Sequence, residues 1–212
     1  MNYTSIQFGF RWLHVISGIT WIGLLYFFNF VNVPFQGAID DATKKGANPK
    51  LMPRALWWFR WGAMMTFLTG LILFSLVYMY VPLGRHGLRG FWGPNAIFSD
   101  SMGLTDRACW IMFMGMLPAI IMWFNVWFII WPAQKQLLRG TAPAEKIPAM
   151  RKRAGLASRV NTYLSGPMLV GMLGANHIGV PFDLKHFVAW AIIGLFAIWV
   201  AIFHSFKVGK SA

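Results

Sequence analysis

Apolar residues along this chain do not alternate with polar ones; they come in long runs. Five stretches, 8–33, 56–81, 107–131, 160–180 and 187–206, are mostly apolar, and the short segments between them hold nearly all the charge. A helix needs about 20 such residues to cross a hydrocarbon core of ~30 Å, and inside that core a backbone must satisfy its own hydrogen bonds. The pattern therefore predicts an all-α fold, an integral membrane bundle of five transmembrane helices forming a single domain over residues 1–212. The first run opens GFRWLHVISG, without the basic start and small-residue cleavage site of a signal peptide, so it is expected to stay in the mature protein.

The fourth run is the least apolar, because it carries Asn161, Gly166, Pro167, Gly171, Gly174, Asn176 and His177. A re-entrant segment is the alternative there, and charge decides between the two. With five spans and the N-terminus outside, 14 of the 19 Lys and Arg fall on the inner side: Lys44, Lys45, Lys50, Arg54, Arg60, Lys135, Arg139, Lys146, Arg151, Lys152, Arg153, Arg159, Lys207 and Lys210. Removing the fourth span would carry Lys207 and Lys210 outside, against the positive-inside rule. The expected topology is thus N-terminus outside and C-terminus cytoplasmic. Tryptophans agree: Trp57, Trp58, Trp61, Trp127 and Trp131 fall near the inner boundary, and Trp12, Trp110 and Trp190 near the outer one.

Composition narrows the class further. The chain is 57% hydrophobic and 12% charged, against about 25% charged in a soluble domain, which excludes a disordered chain or an ordinary water-soluble core. The formal charge of +13 would suggest nucleic acid in a soluble protein. Here the cations flank apolar spans, orientation in the bilayer accounts for them, and nucleic-acid binding is not expected. The 82–106 segment is long and rich in Gly and Pro, fitting a lid, a docking surface or a plain connector. On the inner side, RKRAGLASR is a basic cluster that sets topology and can meet anionic headgroups.

Ionisable side chains inside a span are costly and usually mark a site. His14 lies in the outer half of the first span, His177 at the outer end of the fourth, His186 at the outer start of the fifth and His204 near its inner end. His86, in the outer loop, is the weakest candidate. Around His14 the positions sharing a helix face are Ser17, Gly18, Trp21 and Leu25; counting back from His177 they are Gly174, Val170, Gly166 and Tyr163. Two imidazoles at similar depth, each above small residues, would leave a flat slot for a planar macrocycle. Neutral imidazole is a common ligand of haem iron, and bundle cores are where cofactors sit. The cofactor reading is one haem b on the outer side, ligated by His14 and His177, with Gly18 and Gly174 letting the ring approach the backbone. Arg11 at the outer boundary is placed for a propionate or a headgroup. Small residues at helical spacing also serve ordinary helix packing.

His186 and His204 stand 18 residues apart on one face, about 27 Å along the helix. They are weaker candidates for the iron, since the inner half offers His204 no histidine partner. The single cysteine, Cys109, excludes an internal disulfide, a thiolate iron–sulfur site and a CxxCH haem. No HExxH, GxSxG or phosphate-binding loop occurs. The six acids, Asp40, Asp41, Asp100, Asp106, Glu145 and Asp183, lie at loops or edges, which disfavours a proton pump. Thirteen methionines raise copper, but they are dispersed as packing residues through the spans.

Three segments, RWLHVISGITWIG, ALWWFRWGAMMTFLTGLILF and SRVNTYLSGPMLVGMLGANH, together resemble the membrane domain of bacterial urate hydroxylases, the urate oxidase N-terminal family. The resemblance implies a multi-helix protein of the bacterial inner membrane that passes electrons to a c-type cytochrome on the outer side. It also matches His14, in RWLH, and His177, in ANH, to the family's histidine positions. Full-length urate hydroxylases carry further helices and usually a C-terminal cytochrome c with CxxCH, and this sequence has neither. The expected function is membrane electron transfer through a b-type haem, to or from a separate periplasmic c-type cytochrome or a larger membrane complex. The alternatives are a urate-oxidising oxidoreductase and a cofactor-free structural subunit of such a complex.

Overall fold

The computed structural model describes residues 2–81, 90–91 and 105–209. Its long elements are five helices: α1 (Tyr3–Ala38), α2 (Asp41–Met79), α3 (Asp106–Arg139), α4 (Ile147–His177) and α5 (Leu184–Ser205). A two-residue antiparallel pair, Tyr80–Val81 with Gly90–Phe91, follows α2 and leaves the class all-α. Most of the 82–106 segment, with His86, lies outside the described residues.

Caps set the starts. The Asn2 side chain accepts from the Ser5 amide at 2.8 Å, the Asp40 carboxylate from Thr43 at 2.7 Å, and the Asp183 carboxylate from His186 at 2.9 Å, each satisfying an amide that the first turn leaves free. Gly140, in the left-handed region at φ 65°, closes α3. Helices α1, α2, α3 and α5 are long and apolar enough to cross a membrane, and their outward faces carry large apolar side chains such as Trp12, Ile19, Trp58, Phe128, Ile192 and Phe196. So continuous an apolar surface belongs in lipid, and the chain is a multi-pass membrane protein.

Several helices outrun their apolar stretches. α2 starts 15 residues before position 56 and runs through Pro49 and Pro53, so that only Ile39 and Asp40 join α1 to α2. The sequence also gives no period for the turns that widen to π geometry at Phe27–Asn32, Trp110–Met116 and Asn125–Ile130. Each lies just before a proline, Pro34, Pro118 and Pro132. A proline ring collides with the carbonyl four residues back, here Phe30, Met114 and Phe128, and the widened turn opens that spacing.

α4 is one unbroken helix packed against α1, α3 and α5. Its low hydropathy has a packing cause: neighbours cover it, so Asn161, Thr162 and Ser165 are fully buried and need not meet lipid. Glycines bring those neighbours in. A Cβ at Gly171 would overlap the backbone at Gly115 of α3, and one at Gly166 the backbone at Gly194 of α5. The core proper, around Trp21, Leu25, Phe59, Met122 and Val126, lies among α1 to α4.

Candidate functional site

α1 to α4 enclose a cavity of about 480 Å³, inside the 300–1,000 Å³ range of small-molecule and cofactor sites. Its walls include His14, Gly18, Trp21 and Tyr26 of α1, Thr66 and Gly70 of α2, Met116 of α3, and Met168 and Met172 of α4. From His14 to Tyr26 it extends over twelve residues, about 18 Å along α1. Ile19, Leu71, Leu169 and Leu173 belong both to its lining and to the exposed apolar surface, so it opens sideways toward lipid.

His14 is held in one tautomer. Its Nδ1 lies 3.1 Å from Thr69 Oγ1, whose only proton is donated to the Met65 carbonyl at 2.6 Å. The hydroxyl can then only accept, which places the imidazole proton on Nδ1 and leaves Nε2 with a free lone pair. The ring rests against α2 at Gly70, where a Cβ would stand 3.0 Å from Cε1. Trp21, fully buried in the same wall, has an indole N–H without a partner.

Toward the other end of the cavity the amides and hydroxyls are paired, while the indole N–H groups of Trp123 and Trp127 on α3 are not. Ser165 Oγ donates to the Thr162 carbonyl at 2.6 Å, so the Tyr26 hydroxyl donates to Ser165, 3.0 Å away. Asn29 donates to Ser158 Oγ at 2.9 Å. Asn125 donates to Asn161 Oδ1 at 2.7 Å, and Asn161 donates to the Met122 carbonyl at 2.9 Å. As α1 advances from Tyr26 to Asn29, α4 retreats from Ser165 to Ser158, so the two helices are antiparallel.

That register gives the histidines a common level. His14 stands twelve residues before Tyr26 and His177 twelve after Ser165, each about 18 Å from their shared hydrogen bond along its own helix. Azimuth separates them. The α4 residues lining the cavity are Met168, Leu169, Met172 and Leu173, a face that continues to Asn176; His177 is turned about 100° from Asn176 and is exposed. Gly18 lines the cavity, whereas Gly174 lies against the Ile178 side chain. Arg11 is exposed one turn before His14.

His186 and His204 are elsewhere. His186 Nδ1 pairs with Asp183 Oδ2 at 2.8 Å at the start of α5, and the backbone bond from His186 holds that carboxyl below its ordinary range. His204 is exposed near the end of α5, edge-on to Phe203. Among the described residues no three His, Cys, Asp or Glu side chains gather.

The family model described as urate oxidase N-terminal matches residues 35–83 and 94–212. The chain belongs to that family. No curated protein and no solved structure matches it. The matched part of this urate oxidase N-terminal chain holds ALWWFRWGAMMTFLTGLILF and the segment ending at His177, and it begins after RWLHVISGITWIG with His14. Sequence reading missed the gathering of Met116, Met168 and Met172 on one cavity, and the Asn125–Asn161 pair. The methionines carry no periodic signal across helices. The asparagines did carry one: uncharged amides amid apolar runs at Asn29, Asn125 and Asn161.

Proposed function

We propose that the chain is a membrane haem protein of electron transfer, with a b-type haem in the α1–α4 cavity and His14 as an iron ligand. The observation that carries this reading is the pinned imidazole: Nδ1–H is committed to Thr69 and the Nε2 lone pair is free in an apolar cavity. A ring N–H held by a neighbouring oxygen is the usual support of a ligating histidine. The residues fit the group at this end, since Gly18 and Gly70 expose backbone beside His14 and the other walls are almost wholly apolar. Arg11 would take a propionate. His177 is the proposed second ligand on the ground of its level, and Gly174 its small-residue neighbour. When bound, the haem supplies a one-electron couple; the chain's part is to ligate and orient it.

Five spans with the N-terminus outside remain the reading of topology, supported by the uncharged stretch of α4 from 160 to 176 and by the side on which the lysines and arginines gather. A bacterial inner membrane and a periplasmic c-type cytochrome, or a larger complex, complete the proposal. Urate oxidation is a second reading, favoured by the family's description. Purified protein given urate and a c-type cytochrome would reduce the cytochrome if it holds.

Native absorption spectra, with a pyridine haemochrome assay for haem content, on His14→Ala and His177→Ala test the ligands. Loss of haem in His14→Ala and a low-spin to high-spin change in His177→Ala are expected. Full haem content with an unaltered spectrum in both variants would overturn the assignment.

A further inference from the structure

At the opposite end of the bundle, where the lysines and arginines gather, a second hollow of about 240 Å³ lies between α2 and α3. Pro53, Trp57 and Arg60 line it from α2, at spacings of four and three. Trp131, Lys135 and Arg139 face them from α3, four residues apart, so each helix commits one continuous face. The Arg60 guanidinium lies 3.8 Å over the Trp131 ring, and its buried Nε has no hydrogen-bond partner. Trp57 contacts Trp61, which meets Trp127 edge-on, so the indole wall is braced. The ion pairs among the described residues are Lys44–Asp41 and His186–Asp183; none reaches Arg60, Lys135 or Arg139. Three cations thus converge without a carboxylate, and one of them is partly desolvated.

We propose that this hollow binds the phosphate of an anionic phospholipid. Arginine offers a planar fork to phosphate oxygens and lysine a point charge. Position favours a lipid over free phosphate. Arg60 is the last charge of α2 before the uncharged run from 61 to 79, and Lys135 the first charge of α3 after the uncharged run from 108 to 134. Both helices therefore place their cations at the edge of the apolar slab, where headgroups lie and tryptophans collect. Leu138, exposed beside the hollow, and Pro53 supply apolar contact for the glycerol and the first acyl carbons. Basic pockets between spans on the cytoplasmic side are suited to such headgroups. The site does not depend on the haem reading.

Native mass spectrometry of the detergent-purified full chain, with phosphatidylglycerol or phosphatidylcholine added, tests this. The wild type should retain phosphatidylglycerol preferentially. Each cation contributes roughly 1 kcal/mol near an anionic surface, so Lys135→Gln should lower retention about fivefold and Lys135→Gln/Arg139→Gln about 25-fold. Both side chains are exposed, so the variants should fold, with unchanged circular dichroism as the check. Lys152→Gln/Arg153→Gln removes the same charge from exposed positions on α4 and should leave retention unchanged. Wild-type retention in Lys135→Gln/Arg139→Gln, or an equal loss in the α4 control, would overturn the site. Inorganic phosphate raising Tm as far as phosphatidylglycerol does would overturn the lipid as its occupant.

Discussion

The two ends of the α1–α4 interior hold polar groups in the same apolar surroundings, yet finish them differently. Around α4, Asn29, Asn125, Asn161 and Ser165 donate to oxygens of neighbouring helices or of their own helix, a closed network of the kind that fixes helices in register. At His14 the chain spends two hydroxyl bonds to orient one imidazole and leaves its acceptor nitrogen facing space. His14 is half-buried, and that nitrogen stands free at the apolar cavity wall for a ligand to meet. The paired amides and hydroxyls hold the helices in register; the open imidazole nitrogen is what the proposed haem would complete.

Glycines give the sharpest way to break that comparison. Gly171→Ala should force α3 and α4 apart and cost about 3 kcal/mol, read as a large fall in detergent unfolding midpoint, because its Cβ would overlap the Gly115 backbone. Asn161→Ala comes next, at about 2 kcal/mol, since it strands the buried Asn125 side-chain amide. A stable Asn161→Ala would mean that the network is not structural. On the cavity side, Thr69→Val should leave the fold standing and weaken haem retention by about tenfold or more, the usual effect of losing the group that orients a ligating histidine. Gly18→Ala should be neutral or stabilising by up to about 1 kcal/mol, as its nearest neighbour would be Thr66 Cγ2 at 4.0 Å; a destabilisation as large as that of Gly171→Ala would erase the distinction between packing and cavity glycines.

The smallest effect is one of pH. The Thr43 backbone amide holds the Asp40 carboxyl below its ordinary range. A carboxyl depressed in the fold contributes stability above its unfolded value and loses it as pH falls through its folded one. The cap at the start of α2 should therefore weaken only in acid, below about pH 4. Asp40→Asn keeps the cap oxygen and should flatten that acid limb in a pH series of Tm values; an unchanged limb would assign it to other carboxylates.

How much of this was legible in the sequence differs by level. Runs of apolar residues gave α1, α2, α3 and α5, since lipid-facing helices must be apolar all round. They understated α4, whose Asn161, Thr162 and Ser165 meet helices rather than lipid. The small-residue faces beside His14 and His177 look alike in sequence, yet Gly18 borders a cavity whereas Gly166, on the second face, borders α5 backbone. A helix face can be read from one chain segment; what stands opposite it depends on partners distant in sequence. The Tyr26–Ser165 register sets the two histidines at one level along their helices. Their azimuth was not legible, because the way α4 faces is set by packing against α3 and α5.

The most direct measurement is a reduced-minus-oxidised absorption spectrum of the detergent-purified wild type beside a folded His14→Ala variant. The account predicts a b-type difference spectrum in the wild type and its loss in the variant. A folded wild type with a flat spectrum would contradict it, leaving His14 as a packing residue and the chain as a structural subunit.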